Sequence, residues 1–139
     1  MNRLMRALSI RQPFAELILR GTKTVEYRTF ATRIIGERFH IYAPLKTLPV
    51  VRGEWSVKLA DNIVVPTEAL PAWMIELAGQ VGMIEPGALL PTGVIVGSAV
   101  IERVTRTDGI YRWHLGGVER AATLRKPLKR PQPAWFKPF

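Results

Sequence analysis

The chain has 139 residues, the size of one domain rather than two. With no cysteine and two histidines, it excludes disulfides, thiolate zinc sites, a cysteine nucleophile and a histidine-built metal site, so no metal or cofactor is expected. Twenty Lys and Arg against eleven Asp and Glu give a net charge of +9, and 47% apolar residues describe a folded domain rather than a disordered one.

Residues 5–10 (MRALSI) predict a first strand. Gln12-Pro13 then opens a short helix over 13–20, with Phe14, Leu17 and Ile18 on its core face. Gly21 is placed to end it in the left-handed conformation. A β-rich run, 24–29, follows, with Val25 and Tyr27 on one face and Thr24, Glu26 and Arg28 on the other. Residues 38–43 (RFHIYA) predict a central strand, with Phe39 and Ile41 facing one way and His40 and Tyr42 the other. The stretch 44–66, broken by Pro44, Pro49, Gly53 and Pro66, reads as a long irregular connection. Leu70, Trp73, Met74 and Leu77 give a second helical stripe ending at Gly79, and 79–92 reads as a Gly/Pro-rich linker. Residues 93–104 predict a long strand, with Gly97 marking a bulge or a close contact. Shorter strands are expected at 110–115 and 122–124, and an aromatic strand-like piece at 134–137. One early and one middle helix are too few for a doubly wound sheet. The expected fold is α+β, mainly β: a small, partly closed β-barrel in a single domain over 1–139.

The charge is unevenly spread. Residues 1–52 hold ten basic and three acidic residues, 53–102 hold one and six, and 103–139 hold nine and two. Fourteen of the basic residues are Arg and six are Lys. Arginine forks onto phosphates and stacks on bases, so the basic ends point either to nucleic acid or to a solvated surface. No apolar run approaches the roughly 20 residues of a membrane span. The opening MNRLMRALSIRQPF breaks its apolar patches with Arg6 and Arg11, predicting no secretory leader and a cytoplasmic protein away from membranes.

The most informative segment runs from Leu8 to Arg28. Its core is G-x-K-x-x-E-x-R, carried by Gly21, Lys23, Glu26 and Arg28, preceded by S-I-R-Q-P-F-A. Together with Leu90–Gly97, Tyr111–Leu115 and Trp135, it resembles the ASCH domain family, whose fold is PUA-like. Period 2 puts Glu26 and Arg28 side by side on one strand face, with Lys23 in the turn before them. A carboxylate beside two cations either forms a polar site for a nucleotide or pins the helix-to-strand turn as a salt-bridge network.

Other candidates are placed by the same reasoning. Arg11 and Gln12 precede the helix, where they can meet an anion or cap its first turn. Ser9 can face the same cavity. Arg33 and Arg38 flank the third strand as phosphate contacts or solvated charges. Tyr42 and Trp113 can stack on a base or fill the core. Arg125, Lys126, Lys129 and Arg130 form a basic tail.

The resemblance implies an RNA- or nucleotide-binding module, in which Lys23, Glu26 and Arg28 recognise a nucleotide or modified nucleoside. It implies as an alternative a metal-independent hydrolase, either an amidohydrolase acting on N4-acetylcytidine or a ribonuclease, with Lys23 catalytic. Apart from the resemblance, the adjacency of Glu26 adds a local catalytic role in which Glu26 activates water and Lys23 stabilises the oxyanion. The amidohydrolase members use a threonine three residues after the lysine. Glu26 stands there instead, Thr24 lies one residue on, and Glu102 is the candidate for a distant glutamate. A protein-interaction adaptor with a basic face is a third reading.

Overall fold

A computed structural model describes residues 5–12, 14–45, 56–59, 64–66 and 88–139. The predicted middle helix at 70–77 lies outside the described residues.

The elements in order are β1 (Ala7–Ser9), α1 (Phe14–Leu19), β2 (Val25–Arg28), β3 (Arg38–Ala43), β4 (Ser56–Leu59), β5 (Val64–Pro66), β6 (Ala88–Leu90), β7 (Val94–Thr107), β8 (Ile110–Arg125) and β9 (Trp135–Phe136). Six strands form one sheet in the order β2-β8-β7-β3-β1-β9, and three form a second in the order β5-β4-β6. In the large sheet only β1 and β3 run parallel; the other neighbours are antiparallel. The mainly β expectation holds, but the barrel does not close, since the edge strands β2 and β9 do not pair.

The helix forms and stops for local reasons. The Gln12 carboxamide oxygen accepts the Glu16 backbone N–H at 3.0 Å, which satisfies a donor of the first turn. At the other end Gly21 has φ +79°, and the amides of Gly21, Thr22 and Lys23 bond back to Ile18 and Leu17 carbonyls. Only a residue tolerant of positive φ fits there, and the reversal delivers Lys23 to the start of β2.

One face of the sheet carries the main core. Leu8, Ile18, Phe39, Ile41, Ile101 and Trp113 are fully or almost fully enclosed there, and α1 packs against it. The other face holds a smaller cluster of Ala7, Tyr42, Ile95 and Phe136, as the alternation along β3 predicts. Gly97 is both a register shift in β7 and a close contact. A β-carbon there would come within 2.4 Å of the Glu119 carbonyl and of Leu19, where the helix crosses the sheet.

Three readings are corrected. The two short strands expected at 110–115 and 122–124 are one strand of 16 residues. Strands also occupy parts of the supposedly irregular 44–66 and 79–92 stretches, as β4, β5 and β6. Pairing supplies what local propensity lacks: β8 is held in register by β7 along almost its whole length, across the Gly116–Gly117 step.

A second anchor of α1 is non-local. The buried Glu16 carboxylate takes a forked pair of bonds from Arg120, both 2.8 Å, and a third from Arg20 at 2.7 Å. Burial alone would raise its pKa, but the hydrogen bonds and charges of Arg120 and Arg20 outweigh it and hold the carboxyl below 4.5. A lowered folded-state pKa stabilises the fold above the unfolded value and is lost as pH falls through the folded one. The urea midpoint of the wild type is therefore expected to fall below pH 4.5 more steeply than that of Glu16→Gln. Equal slopes for the two proteins between pH 6 and pH 3 would refute this.

Candidate functional site

A cleft of about 670 Å³ opens beside the start of β2. Three segments far apart in sequence build it: the end of β1 with the residues before α1, the turn and strand 23–28, and Pro131–Pro133 near β9. The parallel β1–β3 pairing brings Tyr42 to its wall, and the β1–β9 pairing brings the proline segment.

Its polar floor is the Lys23–Glu26–Arg28 group. Lys23 Nζ lies 3.4 Å from Glu26 Oε1, and Arg28 donates to Glu26 Oε2 from Nε at 3.2 Å and from Nη2 at 2.8 Å. Arg28 Nη2 also donates to the Ser9 carbonyl at 2.9 Å, which ties β2 to β1. Lys23 Nζ donates to the Val25 carbonyl and sits over the rings of Tyr27, at 4.9 Å, and Phe14, at 5.5 Å. The Lys23 and Glu26 side chains are 4% and 10% exposed, so water screens this pair little. Burial pushes the Lys23 ammonium below its ordinary pKa, Glu26 opposes that shift, and Arg28 adds to it.

The arrangement fixes a chemistry. Among the described residues, Oε2 of Glu26 is taken twice by Arg28, whereas Oε1 faces the lysine and keeps acceptor capacity for a ligand N–H. Two cations against one carboxylate leave the floor with one excess positive charge, and Arg11 at the rim adds another. Such a site suits a planar polar group carrying an anion or carbonyl oxygen on one edge and an amino group on another. Among the described residues, no three His, Asp or Glu side chains gather to hold a metal ion.

The structure brings Arg11, Lys23, Glu26, Arg28 and Tyr42 to this cleft. It takes the other sequence candidates elsewhere. Gln12 is buried and committed: besides capping α1, its Nε2 donates to the Pro91 carbonyl at 3.0 Å. Trp113 is fully buried beneath Arg28, whose guanidinium lies 5.6 Å from the indole, and it does not reach the cleft surface. Arg33 is exposed away from the cleft. Arg38 bonds to Ser98 and the Gly117 carbonyl across the sheet. Glu102 lies over Gly116, outside the cleft.

Sequence reasoning missed the proline wall and Tyr27. Period 2 puts Tyr27 on the face opposite Glu26, but β2 is an edge strand, and an edge residue can reach around to the cleft mouth. Ser9 Oγ donates to the Gln132 carbonyl at 2.5 Å, joining two of the three walls. From the tail, Lys126 lines a neighbouring cleft of about 370 Å³ that shares Tyr42 and Pro131 with the first.

Residues 8–129 match the family known as the ASCH domain. No curated protein matches the chain.

Proposed function

Because this chain belongs to the ASCH domain family, we propose that its cleft takes one nucleotide of an RNA strand. The observation that carries the reading is the buried Lys23–Glu26–Arg28 floor in a cleft large enough for a nucleoside. In this reading Glu26 Oε1 accepts from an exocyclic amine or ring N–H of the base. Lys23 and Arg28 meet carbonyl or phosphate oxygens, and Arg11 holds a phosphate at the rim. Tyr42 and Phe14 supply apolar wall against the sugar and base faces.

Hydrolysis is the second reading, and one observation favours it. The ammonium of Lys23 has a lowered pKa beside a carboxylate in a cleft, a common setting for acid–base work. Against it, Glu26 is tied by both cations, and an anchored carboxylate recognises better than it activates water.

Calorimetric titration with cytidine, N4-acetylcytidine, the other nucleosides, mononucleotides and a short single-stranded RNA tests the binding reading, with mass analysis of the same mixtures for products. Lys23→Met keeps side-chain volume and leaves Glu26 paired with Arg28, so the fold is expected to survive. RNA affinity is expected to fall at least about tenfold in that variant, as one charge-assisted contact is lost. Loss of the acetyl group as acetate, absent in Lys23→Met, would replace binding by hydrolysis. No RNA or nucleotide binding in the wild type would overturn the proposal.

A further inference from the structure

At one end of the large sheet the tips of β7 and β8 form a hairpin arm, flanked by β2 along Tyr111–His114 and reaching past it at 107–110. Residues 103 and 105–110 are exposed, and the strands are joined at Asp108–Gly109 with φ values of +53° and +78°. Two consecutive positive-φ residues are the mark of a tight type I′ turn, whose twist matches that of the strands, so the arm is stiff. At about 3.3 Å per residue, 103–107 extends about 16 Å.

The arm is cationic. Arg103, Arg106 and Arg112 face Asp108 at the turn and Glu102 at the base. Pairing register connects it to the cleft. Residues directly opposite in antiparallel strands share a face. Tyr27 pairs with Arg112, which pairs with Thr105; Arg28 pairs with Tyr111, which pairs with Arg106. Both rows begin at a cleft residue and cross the arm, one on each face. Arg103 and Arg106 are exposed, and Arg112 is partly buried. Arg106 lies over the Tyr111 ring at 5.3 Å, and Arg112 donates to Thr107 Oγ1 at 3.0 Å. Arg103 pairs with His114, whose Nε2 is 2.8 Å from Thr105 Oγ1.

We infer that this arm is a second contact surface, which holds the sugar-phosphate backbone of single-stranded RNA running on from the nucleotide in the cleft. The inference rests on the nucleotide reading of that cleft. Positive charge meets phosphate, the Arg106–Tyr111 stack offers a flat face to a base, and both rows continue from the cleft. An acidic peptide would match the charge but would have no use for the stack or the continuity.

The test uses the full chain and the triple variant Arg103→Ala/Arg106→Ala/Arg112→Ala. A single-stranded RNA octamer and a mononucleotide are titrated over a range of salt. The mononucleotide affinity is expected to be unchanged. The octamer affinity is expected to fall at least about thirtyfold at low salt. The slope of log affinity against log salt should flatten by about 2, since each lost phosphate contact removes about 0.7 on single strands. Octamer binding with the same affinity and slope in the variant would overturn the arm and leave the cleft intact. Octamer binding that is lost in the variant, with no mononucleotide binding by the wild type, would support the arm and overturn the cleft reading. Equal binding of a polyglutamate peptide, or no octamer binding by the wild type, would overturn the inference.

Discussion

Glu26→Ala is expected to cost about 3–5 kcal/mol of folding stability in urea titration, the range found when one partner of a buried ion pair is removed. The loss comes less from the missing attraction than from what remains. Lys23 and Arg28 are 4% and 16% exposed at their side chains, and each would lose the carboxylate that faces its charge. Glu26→Gln keeps the shape and an acceptor for Arg28, so its cost is expected to be smaller. A double variant separates the causes. Lys23→Met/Glu26→Leu removes the ammonium with the carboxylate and is expected to recover only the share of the loss that comes from Lys23, because Arg28 still loses its carboxylate. A cost below about 1 kcal/mol for Glu26→Ala would show a pair screened like a surface one. Nucleotide binding is expected to be lost in both single variants even where the fold survives.

Trp113→Ala is expected to cost about 3–5 kcal/mol, with an unchanged denaturant slope. This one side chain joins several parts of the fold. Its ring stacks on Trp135 at 5.8 Å and 12°, meets the Phe30 ring edge-on at 5.5 Å, and carries Arg28 at 5.6 Å. Its Nε1 donates to the Phe30 carbonyl at 3.3 Å. Removal leaves a cavity between strands far apart in the large sheet order, because Trp113 is on β8, next to the edge strand β2, and Trp135 is on the edge strand β9. Trp113→Phe, which keeps a ring but loses the donor, is expected to cost less than half as much. A loss below about 1 kcal/mol for the alanine variant would mean that the neighbours collapse into the space.

What was legible in the sequence was local. The period-2 alternation of RFHIYA bounds β3 residue for residue, and the glycine at 21 ends α1 where the left-handed turn requires it. The same two rules put Lys23, Glu26 and Arg28 together, which is most of the polar floor. What could not be read was set by partners distant in the chain. Glu16 looks like an ordinary helix-surface acid until Arg120 is folded against it. Gln12 reads as an anion contact or a helix cap, and the choice falls to the cap once Glu16 and Pro91 take its amide. Trp113 reads as a stacking platform or a core ring; it is core, one layer below Arg28, and sequence gives periodicity along a strand without the depth of a layer. The full length of β8 was missed for the same reason: the stretch 116–121 between the two expected strands lacks a strand composition and is strand because β7 lies beside it.

The link between Ser9 and Gln132 spans 123 residues, and β9 is the antiparallel neighbour of β1. On a ribosome, chain emerges from its first residue onward, so β1 waits for nearly the whole chain before that edge is filled. The β7–β8 hairpin can close as soon as its own residues are out, since its contacts are close in sequence. The large sheet thus grows around an early hairpin and is finished last at the edge that bears the proline wall. The proline wall of the cleft therefore follows the β7–β8 hairpin in order of synthesis, and a nascent chain can hold the hairpin before it holds the pocket.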